Sequence, residues 1–245
     1  MTNLLNSSNR IQSLDFLRGL VMILMAIDHV RVYSGLPAGG ADAGIFFTRW
    51  ITHFCAPAFA FFAGTSAFLY GLKLNNNKKL AQWLITRGAL LVVLELTVIR
   101  FFWAFQVSTD FMLAGVIWML GWCMILLAAL IWMKPKWTLI TGVIIILFQS
   151  LFGLVPRLLP ESAQLEFAKY WAIIYPSGIE GAYFETFNIL YVIVPWIGVM
   201  AAGYGFGMIF QLDEKRRNRL CLITGLSITA AFVVIGSLFV ILASK

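Results

Sequence analysis

The sequence predicts an all-helical bundle embedded in a membrane and crossing it about seven times, and three observations carry that expectation. The 245 residues are 61% hydrophobic and only 12% charged, with a mean hydropathy of +0.88. A soluble domain usually holds about 25% charged residues. Apolar runs of about 20 residues recur along the chain, the length a helix needs to cross roughly 30 Å of hydrocarbon. Most of the basic residues fall in short loops between these runs and favour one side. Hydrocarbon offers no partner for an open sheet edge, so the spanning backbone is expected to be helical throughout.

The first run, 14–33, follows the polar MTNLLNSSNR and carries Asp15 and Arg18 with no small-residue cleavage site, so it reads as a retained helix and not a signal peptide. The following runs are 50–72, 80–105, 111–133 and 138–155. The long loop 156–186 contains prolines and glycines that argue against a further span, and its KYWAIIYPSG suits a membrane interface or an acceptor-binding surface. The last two runs are 187–211 and 220–243. Lys73, Lys78 and Lys79 follow the second run, Lys134 and Lys136 the fourth, and Lys215, Arg216, Arg217 and Arg219 the sixth. Those loops and the N-terminus are therefore expected on the cytoplasmic side of the inner membrane, with the C-terminus outside. On the other face Glu161, Glu166, Glu180 and Glu185 outnumber Arg157 and Lys169. The net charge of +7 is read as this orientation signal and not as a sign of nucleic acid. Cys55, Cys123 and Cys221 lack C-x-x-C spacing and read as buried free thiols, with no metal expected.

Ionisable residues inside a bundle are costly and mark candidate sites. The two histidines of the chain, His29 and His53, flank the first loop, so with the N-terminus inside both come to similar depth near the outer surface. Arg18 and His29 are eleven residues apart, about three turns and roughly 16 Å along one helix face. Asp28 and Arg31 have the spacing of a helical ion pair, which makes Asp28 a structural partner, not the orienter of His29. Asp15 and Arg18 also stand three apart and either neutralise each other or leave Arg18 to a ligand. In the third run Arg87 lies in the inner half, where it snorkels to the interface or joins Arg18 in holding a phosphate. Glu95 and Arg100 lie further out and either pair with one another or neutralise groups around the histidines, a structural role being favoured.

The segments SLDFLRGLVMILMAIDHVR, RWITHFCAPAFAFFAGTSAFLYG, LITRGALLVVLELTVIRF, IWMLGWCMI and YVIVPWIGVMAAGYGFG resemble a bacterial family of membrane proteins related to the heparan-alpha-glucosaminide N-acetyltransferase catalytic domain. The likeness runs over most of the chain. The pattern from Asp15 through Arg18 to His29 is also similar to the first helix of the acyltransferase 3 family.

The resemblance implies a single transmembrane acyltransferase-like domain over residues 1–245, with a shortened C-terminal end as an open alternative. It implies acyl transfer, in the first instance acetyl transfer, from cytoplasmic acyl-CoA to a hydroxyl or amine acceptor beyond the membrane, a sugar or another envelope component. His29 would then act as general base, His53 would position the acceptor or polarise the thioester, and Arg18 and Arg87 would hold the CoA phosphates. A second copy of the chain could complete a short bundle. The rival reading is a non-enzymatic membrane protein, either a small transporter using His29 and Glu95 for protons or a catalytically silent relative.

Overall fold

The computed structural model describes residues 11–35, 43–105 and 110–243. The chain is mostly helical, as the hydropathy requires. Helix α1, Gln12–Tyr33, places Asp15 in its first turn and Arg31 in its last, each the sign that its end of the helix dipole favours. Phe16, Ile23 and Val30, spaced by seven, are exposed, while Leu14 and Val21 are buried.

The second apolar run does not form one helix. Helix α2, Ala43–Thr52, ends before His53, and α3, Cys55–Leu74, begins after Phe54. Pro57 explains the break. A proline lacks the N–H that would bond back to residue 53 and its ring crowds that carbonyl, but it is tolerated within the first turn of a new helix. The chain reverses after α3 at left-handed Asn75, whose N–H donates to Gly71 O, and Asn76 caps α4, Asn77–Leu94, by accepting the Lys79 N–H at 3.0 Å. Helix α4 continues through a π-helical segment, Glu95–Ile99, into the short α5, Arg100–Ala104.

Two further runs open on extended backbone. Strand β1, Met112–Ala114, leads into α6, Val116–Leu130, and strand β2, Phe187–Ile189, leads towards α9, Trp196–Phe206. The strands pair in parallel with Met112 opposite Phe187 and Ala114 opposite Ile189, so backbone that leaves the helical ladder still finds partners. Between them lie α7, Pro135–Leu147, a 3-10 segment, Gln149–Leu158, bent 65° from it, and α8, Glu161–Trp171. Helix α8, with 11 residues, leaves loop 156–186 without a full span, as expected.

Helices α3, α4, α6, α7 and α9 pack through glycine, because helices in lipid gain from close backbone approach and not from removing apolar groups from water. A Cβ on Gly88 of α4 would lie 2.5 Å from Gly121 O of α6, and one on Gly121 would lie 2.6 Å from Gly88 O. Gly142 of α7 meets Gly198 of α9 in the same way, at 2.5 Å. Thr65 of α3 donates to Gly203 O of α9 at 3.0 Å. Gly121→Leu is expected to separate α4 from α6 and cost about 2 kcal/mol or more, since the obstacle is backbone that cannot rotate away. A thermal melt in detergent checks this; an unchanged midpoint would show the contact to be slack.

The segment 207–245 is a separate unit: a 3-10 turn, Gly207–Gln211, and α10, Glu214–Ala243, capped by Asp213, which accepts the Arg216 N–H at 3.0 Å. Among the described residues α3 and α10 are individually long and apolar enough to cross a membrane, with the bent α7 pair as a third if it counts as one span. The other expected spans are charged, broken or opened by strand. Helix α1 has the length, 22 residues, but carries Asp15, Arg18, Asp28 and Arg31.

Candidate functional site

The last two turns of α1 carry Asp28, His29, Arg31 and Tyr33. His29 Nδ1 lies 2.7 Å from Met25 O, one turn back. A carbonyl can only accept, so Nδ1 bears the proton and donates, which leaves the Nε2 lone pair as the acceptor of a neutral imidazole. The half-buried ring faces Trp103 of α5, centroids 5.6 Å apart, and Trp103 is stacked on Tyr33 at 4.9 Å. Trp103 reaches this position beyond the π-helical segment. One added residue there turns everything downstream by about 100° relative to a regular helix.

Beside His29, Asp28 Oδ1 accepts from Arg31 Nε at 3.3 Å, Arg31 Nη2 at 3.0 Å and Thr52 Oγ1 at 3.0 Å. Arg31 is 6% exposed and Thr52 8% exposed. The expected ion pair of Asp28 and Arg31 is present and extends to the end of α2. His53 follows Thr52 directly, in the break before α3, and its side chain is exposed. Each histidine is thus the chain neighbour of one partner in the Asp28–Thr52 hydrogen bond. Arg31, Thr52, Tyr33 and Trp103 were absent from the candidate site read from the sequence. Of these only Arg31 had a signal, its spacing from Asp28.

At the other end of α1, Arg18 pairs with Asp15 at 3.5 Å and also reaches α3, donating to Phe62 O at 3.3 Å and to Ser66 Oγ. The pair of Asp15 and Arg18 is therefore present, and the same guanidinium also ties α1 to α3. Arg87 is exposed and lies over its own helix neighbour Trp83, 5.9 Å from the ring centroid. No contact among the described residues joins it to Arg18. A cleft of about 590 Å³ opens at the α3–α4 and α6–α7 turns, lined by Asn75, Asn76, Asn77, Trp132 and Lys134 among others, and none of the eight candidate residues borders it.

Glu95 and Arg100 do not pair. The Glu95 carboxylate is buried and accepts backbone N–H groups of Gly115, Ile117 and Trp118, the first turn of α6. The N-cap of α6 is Gly115, which has no side chain to offer, so an acidic group from the neighbouring helix takes the cap's place. A Cβ on Gly115 would overlap the Glu95 carboxylate. Arg100 instead donates through Nε to Phe111 O at 2.9 Å. Among the described residues no three His, Cys, Asp or Glu side chains converge on a metal position. Cys55 and Cys123 are buried thiols, whereas Cys221, expected to be buried, is exposed on α10, which has no second α-helix among the described residues of its own unit to cover it.

The family model for the catalytic domain of heparan-alpha-glucosaminide N-acetyltransferase matches residues 10–244. No curated protein and no solved structure matches the chain.

Proposed function

This chain belongs to the heparan-alpha-glucosaminide N-acetyltransferase catalytic family, and from that premise we propose that it transfers an acyl group, acetyl in the simplest case, from cytoplasmic acyl-CoA to a hydroxyl or amine beyond the inner membrane. A sugar or another envelope component is the acceptor class, and the chain is a multi-pass protein with its N-terminus in the cytoplasm. The observation that carries the reading is the His29 hydrogen bond to Met25 O, which fixes the tautomer a general base needs. The acceptor's O–H or N–H attacks the thioester carbonyl carbon while Nε2 takes its proton. The C–S bond then breaks, and the imidazolium returns the proton to the departing sulfur, giving free CoA. His53 positions the acceptor or polarises the thioester carbonyl. Arg18 and Arg87 bind the CoA phosphates from points along the helices, with Asp15 orienting Arg18.

The transporter reading needs Glu95 as a proton carrier, but its carboxylate is engaged by three backbone N–H groups, which counts against it. The direct test is a proteoliposome holding the protein with labelled acetyl-CoA on one side and glucosamine on the other. Labelled acetyl product on the glucosamine side is expected; wild-type protein that neither binds acetyl-CoA nor makes product overturns the enzyme.

Two further outcomes are expected. Arg18→Ala or Arg87→Ala should weaken acetyl-CoA binding roughly tenfold at low salt, with the difference shrinking as salt rises, because each removes a charged hydrogen-bond donor to phosphate. Calorimetric titration measures this, and equal affinity in the variants would take the phosphates elsewhere. For orientation, a cysteine at Asn76 should react only with a reagent on the cytoplasmic side and one at Ser162 only from outside. Reaction of both from the same side would end the assignment.

A further inference from the structure

The Asp28–Arg31–Thr52 cluster links two separate helices through a buried charge, and no part of the mechanism above uses it. Arg31 is held at 6% exposure by a carboxylate three residues earlier. That pair alone would only quiet a charge on α1. The third bond changes its meaning, since Thr52 Oγ1 donates to the same Oδ1 from the final residue of α2, 24 positions later in the chain. Thr52 is also buried, although the residues on either side of it, Ile51 and His53, are exposed.

We propose that the Asp28–Arg31–Thr52 cluster is the positioning device of the site, locking the end of α1 to the end of α2 so that His29 and His53 are presented together. This rests on the acyltransferase reading for its functional meaning, though not for its geometry. Asp28 and Thr52 are positioning residues: neither needs to touch substrate. Pro57 interrupts the helix after His53, and the local bonds across the break, Phe54 N–H to Ile51 O at 3.3 Å and Ala58 N–H to Phe54 O at 3.0 Å, do not tie it to α1, which the Thr52 bond does. A carboxylate already oriented by two guanidinium bonds is a rigid acceptor, so a single hydroxyl suffices to register the break against α1.

The chain has only two histidines, so protein made with isotope-labelled histidine gives one imidazole spectrum for each. Thr52→Val removes the bond while keeping the side-chain shape. It is expected to move both imidazole signals together and to lower single-turnover acetyl transfer about tenfold, with affinity for acetyl-CoA unchanged. Thr52→Ser should restore both signals and the rate. Thr86→Val, which deletes an exposed hydroxyl bond within α4, serves as the control and should change nothing. Asp28→Asn leaves buried Arg31 without its counter-charge and is expected to fold poorly, so the Thr52 pair carries the test. Signals from both histidines that stay at their wild-type positions in Thr52→Val, or only one that moves, overturn the proposal. If wild-type protein shows no transfer, the enzyme reading falls while the spectra still decide whether the cluster links the two histidines.

Discussion

Replacing Glu95 with alanine is expected to destabilise the protein by about 3 kcal/mol or more, the largest loss among the charged residues outside the histidine region. Glu95 is 6% exposed, and its carboxylate accepts backbone N–H groups at the start of α6, where Gly115 offers no cap of its own. Removing it strands those donors in a dry site, and each unsatisfied donor costs about 1–3 kcal/mol, less than additively since the turn can relax. Glu95→Gln keeps one carbonyl oxygen facing the donors but turns an NH₂ towards the others, so about half the loss is expected. Glu95→Asp retains the charge but falls one methylene short of the turn. Denaturant or thermal unfolding in detergent ranks the series; alanine at the wild-type midpoint would mean that the N-terminal turn of α6 draws its partners from elsewhere.

That internal cap also shows where sequence reasoning stops. Helices α3 and α10 were legible because nothing in their apolar stretches competes with a span, and the ion pair of Asp28 and Arg31 because its spacing of three needs only one helix. Pro57 was in plain view, yet hydropathy averaged over a span cannot register a break that apolar residues flank on both sides. The fourth and sixth runs read as helical from end to end, but they open on the strands Met112–Ala114 and Phe187–Ile189, whose pairing 75 positions apart no local pattern encodes. Trp103 was missed for a related reason. Its direction depends on the π-helical phase shift at Glu95–Ile99, and a regular helical wheel points it elsewhere. The sequence left Glu95 and Arg100 to pair with one another or to neutralise groups around the histidines, whereas each is met by backbone polar groups instead.

His29→Ala is expected to lower single-turnover acetyl transfer by about two to four orders of magnitude, the usual contribution of a general base, while leaving acetyl-CoA affinity unchanged. The two effects separate because Arg18 stands eleven residues earlier on α1, roughly 16 Å away, and ties to Asp15 and Ser66 without involving His29. The local geometry says why alanine should be this damaging. Met25 O holds Nδ1–H, and Trp103, itself stacked on Tyr33, borders the ring, so Nε2 is held in one direction. His29→Gln preserves polarity but not basicity and should be nearly as slow as alanine, which distinguishes proton transfer from simple hydrogen bonding. Trp103→Ala should fall between, since it frees the ring to rotate but keeps the base. His53→Ala should lose less than His29→Ala, in keeping with a role in positioning or polarisation. Rapid-quench measurements with labelled acetyl-CoA on the four variants decide the matter. Transfer at the wild-type rate by His29→Ala would reduce this histidine to a hydrogen bond within α1 and leave the proposed mechanism without its base.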